Sequence, residues 1–281
     1  MLKRTLFIFM VMIIGCVFPM IVLIPAQYLG VDLSTLQGSK FVVSFTTVSI
    51  IMAYTAINIG IVYFFQVFYH RRPFSELGFR RDWLRPTIMG HLLGIALEVI
   101  LVGLTMLYTG ITSFKWAVPE DVSVLSIVSY YSFFLVMLFL NSLKEEVLFR
   151  SYVIETFGEY QKGKWLVIVI SSILFSVIHL VLEPPTLHSF IYRFLFGVFA
   201  CQLYFMTRSI WFIIGVHSGW NWIVLTFEGN WKLGGIFEMD LGDEKDLFLI
   251  SVLLIVTAGT EWYSKKVSLA HEPNLRKKLE N

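Results

Sequence analysis

Residues 123–150 read SVLSIVSYYSFFLVMLFLNSLKEEVLFR. The first part is uncharged and apolar for about the 20 residues that a helix needs to cross a hydrocarbon core of about 30 Å. It then runs without a break into Lys144, Glu145, Glu146 and Arg150. A strand reading fails, because the apolar run is continuous and not a ten-residue alternation. The stretch is therefore a spanning helix that carries ionisable groups. Such groups are costly at membrane depth and mark a functional site by default.

The rest of the chain has the same character. Hydrophobic residues make up 57% and charged residues 15%, and phenylalanine alone occurs 26 times. Eight apolar runs read as spans, at about 5–24, 41–68, 87–108, 123–144, 165–182, 190–206, 209–227 and 246–263. The expected fold class is all-α, a polytopic membrane helix bundle of about eight transmembrane helices. The Lys and Arg residues of the short loops orient it. Lys3 and Arg4 precede the first run; Arg71, Arg72, Arg80, Arg81 and Arg85 crowd the next loop on that side. Lys144, Arg150, Lys162, Lys164, Arg208, Lys265 and Lys266 continue the pattern, whereas Glu238, Asp240, Asp243, Glu244 and Asp246 lie in an opposite loop. Both termini are expected in the cytoplasm. A net charge of +2 gives no reason to expect a nucleic acid partner; the basic tail is expected to meet anionic lipid.

No long linker, repeat or low-complexity tract divides the chain. The expected organisation is one transmembrane domain over 1–264, with a catalytic core at about 123–227, and a cytoplasmic basic tail over 265–281. Cys16 and Cys201 lie in apolar runs, so neither a structural disulfide nor cysteine metal spacing is expected. The apolar run continues past Cys16 to Ile24, which favours an uncleaved first helix over a lipoprotein signal. In the third run His91 and Glu98 share a face. Gly90 and Gly94, and Gly215 and Gly219, form small-xxx-small patterns that let helices approach closely.

Two further patterns join Glu145, Glu146 and Arg150: Phe175 with His179, and His217 with Asn221, each pair four residues apart and so on one helical face. Adjacent Glu145 and Glu146 lie about 100° apart on an α-helix. Glu146 is oriented to pair with Arg150 at i,i+4, leaving Glu145 free. Depth is calculable. Glu145 and His179 each lie about 15 residues, or about 22 Å, from the turn between their helices, which puts them level. His217 is about 13 Å from the turn at Arg208, in agreement if the hairpin projects about 10 Å past the bilayer. The centre then lies about a third of the way into the membrane and opens inward.

A carboxylate beside an imidazole can hold a water and take its proton, a contribution of typically 10²–10⁴-fold. A second imidazole and an amide can stabilise an oxyanion. This is amide hydrolysis, with Glu145 as base, His179 positioning the water, His217 and Asn221 as oxyanion donors, and Glu146, Arg150 and Phe175 in support. No cofactor is expected on this reading. The alternative is zinc held by Glu145, His179 and His217, although the His-Glu-x-x-His pattern is absent. Ser142, Ser176 and Ser218 lack a Gly-x-Ser-x-Gly elbow. A transporter is the weaker rival, since no inverted repeat is visible.

Together, Glu-Glu-x-x-x-Arg, Phe-x-x-x-His and His-x-x-x-Asn resemble the CPBP family, the CAAX-protease and bacteriocin-processing group also called Abi. The resemblance extends through Phe196-Gly197 and Ser209-Ile210-Trp211 and covers about 123–227. It implies an intramembrane endopeptidase of the bacterial cell membrane acting on a peptide or lipidated protein. Glu145 and His179 would then activate water, and His217 and Asn221 would bind the oxyanion. It also admits a metal-dependent peptidase, or a non-catalytic immunity or scaffold protein with a membrane protein partner.

Overall fold

The computed structural model describes residues 45–110, 115–158, 163–182, 186–227, 235–238 and 244–279. The expected first span at 5–24, with Lys3, Arg4 and Cys16, lies outside these residues, as do Lys162, Asp240 and Asp243.

Each of the other seven expected spans is a helix. The first, α1 (Phe45–Phe64), runs into a π turn at Phe65–Tyr69, and a 3₁₀ turn at Phe74–Leu77 leads to α2 (Leu84–Thr109). Next come β1 (Lys115–Trp116), α3 (Val124–Glu145), a π segment at Glu146–Tyr152, and α4 (Val153–Gly158). The chain continues through α5 (Lys164–Leu182), α6 (Leu187–Thr207), α7 (Ile210–Phe227), β2 (Phe237–Glu238) and α8 (Glu244–Leu279). Six stretches are long and apolar enough to cross a membrane: 51–69, 84–108, 124–157, 187–207, 210–227 and 246–266. The shorter Lys164–His179 is apolar as well. The protein is an integral membrane helix bundle.

Local chemistry sets the helix ends. The Ser123 hydroxyl accepts from the Ser126 amide at 3.1 Å, and Thr186 does the same for Ser189 at 3.0 Å; both are N-caps. At the other end of α2, Gly110 has φ 71°, which glycine takes without a Cβ penalty. One strand pair occurs where only helices and loops were expected. Lys115–Trp116 pairs antiparallel with Phe237–Glu238, and the Ile236 amide donates to the Thr226 carbonyl at the end of α7.

The tightest packing joins α2 to α7. A Cβ added at Gly90 or Gly94 would overlap the carbonyl oxygen of Phe212 or Val216. One added at Gly215 or Gly219 would overlap that of Thr87 or His91. The two small-xxx-small patterns thus face each other, and backbone meets backbone. His91 Nδ1 and Ser218 Oγ bridge the same contact at 3.1 Å. Because Ser218 Oγ also donates to the Gly215 carbonyl at 3.0 Å, it serves this helix contact. Across the bundle, Gly197 of α6 meets Ser172 of α5, whose Cα would lie 2.9 Å from an added Cβ. Cys201 is a buried free thiol facing the Ser171 hydroxyl at 3.3 Å.

At the arginine-rich end, the loop between α1 and α2 folds onto the bundle. Leu77 is fully buried, and its carbonyl accepts from the Ser151 hydroxyl. The Gly78 carbonyl accepts from the Ile210 amide at 3.2 Å, so this loop anchors the start of α7. Near the turn between α4 and α5, Glu155 accepts from the Tyr204 hydroxyl at 3.1 Å, which ties α4 to α6.

Candidate active site

Helix α3 ends at Glu145, and the chain then takes π geometry from Glu146 to Tyr152. Sequence spacing predicts an unbroken α-helix here. The structure differs, because a π segment accommodates an extra residue per hydrogen-bonded turn and rotates the later residues relative to the earlier ones. Glu145 and Glu146, which would diverge on an α-helix, both reach His217 on α7. The Glu145 Oε2 lies 3.9 Å from His217 Nε2, and Glu146 Oε1 lies 2.6 Å from His217 Nδ1. One imidazole therefore faces both carboxylates, one through each nitrogen. The link between Glu146 and His217 has no counterpart in the motif spacing.

His179 arrives from α5. Its Nδ1 lies 2.7 Å from the Phe175 carbonyl oxygen one turn earlier. A carbonyl only accepts, so Nδ1 carries the proton. This fixes the ring and turns Nε2 toward Glu145 Oε2 at 4.0 Å. The structure thus brings Glu145, His179 and His217 to one point, level as the two helical arms predict. Asn221 is half-buried on the same α7 face as His217; its side chain makes no hydrogen bond among the described residues.

A charged frame lies behind this point. Glu146 Oε2 is 3.2 Å from Arg150 Nε, and both side chains are fully buried. The Arg150 guanidinium lies 3.8 Å from the centre of the Phe175 ring. That cation–π contact is strong when desolvated. Phe175 also packs on His179 with centroids 4.6 Å apart, and Phe196 of α6 packs on His217 at 5.0 Å. Phe175 therefore carries both the guanidinium and the imidazole. By contrast, the Glu145 and His179 side chains retain 15% and 17% of their exposure, whereas those of Glu146 and Arg150 retain none.

Two neighbours of Glu145 are not among the residues that the motifs pick out. Asn141, one turn earlier, donates from Nδ2 to Glu145 Oε1 at 2.7 Å, and Lys144 Nζ lies 3.8 Å from the same oxygen. The i,i+4 spacing of Asn141 and Glu145 was the available signal. Glu98 is fully buried on α2.

Donor types suit zinc, but their spacing does not. Two ligands of a tetrahedral zinc lie about 3.4 Å apart when the bonds are about 2.0–2.1 Å. The Glu145 to histidine separations of 3.9 and 4.0 Å are wider. No group of three or more His, Cys, Asp or Glu side chains among the described residues could hold a metal ion.

Residues 127–223 match a family model described as Type II CAAX prenyl endopeptidase Rce1-like. This stretch is similar to that family. The match agrees with the resemblance read from the three motifs, and it spans all seven residues of the cluster and its frame, from Glu145 to Asn221. No curated protein matches the chain. The Rce1-like family is a protease family, and its domain here begins within α3 and ends within α7.

Proposed function

We propose that this protein is an intramembrane endopeptidase that hydrolyses a peptide bond of a membrane-associated, CAAX-type substrate with a water activated by Glu145. One observation carries the reading: Glu145 Oε2 faces the Nε2 atoms of His217 and His179 at 3.9 and 4.0 Å. These distances are too long for direct hydrogen bonds and suit a water shared between them. Glu145 takes a proton from that water. The neutral His179, with its proton on Nδ1, offers the Nε2 lone pair that orients the nucleophile. As the peptide carbonyl is attacked, His217 and the Asn221 amide stabilise the oxyanion; when the tetrahedral intermediate collapses, the C–N bond breaks and Glu145 returns the water's proton to the leaving amine. Donation from His217 Nε2 requires the imidazolium form, because Nδ1 keeps its proton toward Glu146. Glu146, Arg150 and Phe175 hold the two histidines in place. The site works from the arginine-rich end, which the positive-inside rule assigns to the cytoplasm; a bacterial cell membrane is the proposed location.

The test is Glu145→Gln, reconstituted in lipid with a prenylated CAAX peptide. Loss of general-base action lowers turnover by at least about 10²-fold, while the thermal unfolding profile stays that of the native protein. Turnover at the native rate in this variant overturns the assignment.

A further inference from the structure

A carboxylate has two oxygens, and a general base uses one of them. In Glu145 the two are treated differently. Oε1 accepts from the Asn141 amide at 2.7 Å. Oε2 is buried, makes no hydrogen bond among the described residues, and faces the two imidazoles. Asn141 is the single carboxamide in α3 and sits four residues before Glu145, on the same face. A primary amide in an apolar spanning helix is costly without a partner. The partner here is the proposed base. Donation to an ionised carboxylate is charge-assisted and directional, so it fixes the plane of the group as well as its charge.

We propose that Asn141 is a positioning residue: its amide holds Glu145 Oε1 and thereby turns Oε2 toward His179 and His217. The proposal rests on Glu145 being the base. Lys144, at 3.8 Å from Oε1, adds a charge on the same side but not the fixed direction of a hydrogen bond. His179 and His217 face the other oxygen, and Glu146 and Arg150 lie behind His217. Among the described residues, Asn141 is thus the neighbour placed to set the rotation of the carboxylate.

Three substitutions separate this role from packing. Asn141→Leu keeps the volume and removes the donor. Asn141→Asp keeps the shape and sets a like charge against Glu145. Asn141→Gln keeps an amide donor on a longer arm. Measured with the prenylated CAAX peptide in lipid, Asn141→Leu lowers kcat by about 10- to 100-fold, the worth of a hydrogen bond to a charged group. KM stays within about twofold, as for an interaction that matters chiefly in the transition state. Asn141→Asp loses more than Leu, and Asn141→Gln recovers part of the rate. A second readout needs no turnover. A hydrophobic carbodiimide modifies protonated carboxyls, and peptide mass spectrometry reads the modification at Glu145. That modification speeds up several-fold in Asn141→Leu and returns toward the native rate in Asn141→Gln.

Native kcat and native labelling in Asn141→Leu overturn the proposal, even where Glu145→Gln is inactive. Greater damage from Gln than from Leu assigns Asn141 to packing and overturns it as well. Native turnover in Glu145→Gln overturns the base assignment instead, so the two failures are distinguishable.

Discussion

Arg150 offers the most direct test of the frame. Its guanidinium is fully buried, 3.2 Å from Glu146 Oε2 and 3.8 Å from the Phe175 ring centre. Replacement by methionine keeps most of the volume and removes the charge. It leaves Glu146 fully buried with His217, at 2.6 Å, as its remaining polar partner among the described residues. Stranding one member of a buried ion pair costs about 3–5 kcal/mol, which is a factor of roughly 10²–10⁴ in the folding equilibrium. Loss of the desolvated cation–π contact adds up to about 2 kcal/mol, and methionine packing against Phe175 offsets part of it. The net expectation is about 3–5 kcal/mol. The assay is reversible unfolding in mixed micelles under a denaturing detergent titration, followed by tryptophan fluorescence. Glu146→Leu combined with Arg150→Met removes both charges, and the pair recovers much of the loss, because an apolar replacement of a buried pair is often neutral or stabilising. A loss below about 1 kcal/mol for Arg150→Met, the range of exposed pairs, refutes the claim that this guanidinium is buried and paired. So does strict additivity in the double variant.

Two other predictions concern packing and metal. Gly219→Ala drives a methyl group into the His91 carbonyl and costs about 1–3 kcal/mol by the same unfolding assay, as overpacking does, whereas Gly103→Ala, with no atom within 4 Å of the new Cβ, leaves stability unchanged or slightly raised. Turnover of the purified protein survives prolonged dialysis against a strong zinc chelator, since the separations of 3.9 and 4.0 Å from Glu145 to the two histidines exceed a tetrahedral zinc edge; a loss restored by added zinc overturns that expectation.

The helices were legible because apolar length is a one-dimensional property. All seven runs from 41–68 onward coincide with helices to within a few residues at most ends, apart from α8, which continues to Leu279. Glu145 and His179 were placed level by counting residues from a shared turn, and they lie 4.0 Å apart. The paired glycine patterns also announced a close contact, because only residues without bulk admit it. Other features were hidden. The π segment leaves no mark in composition, since Glu146 to Tyr152 would suit an α-helix equally well. The bond between Glu146 and His217 joins residues 71 apart in the chain, and no spacing within either motif announces it. Pairing of Lys115–Trp116 with Phe237–Glu238 joins two loops that are remote in the chain, and two residues are too few for an alternation to show.

The glycine contact between α2 and α7 bears on how the molecule can move. Main chains that touch have no side-chain rotamers with which to absorb sliding, and separating them would strip close van der Waals contact from both backbones. His217 and Asn221 ride on the held helix, so the proposed oxyanion side of the site is a stator. The other two proposed catalytic side chains stand on different supports, Glu145 at the end of α3 and His179 on α5.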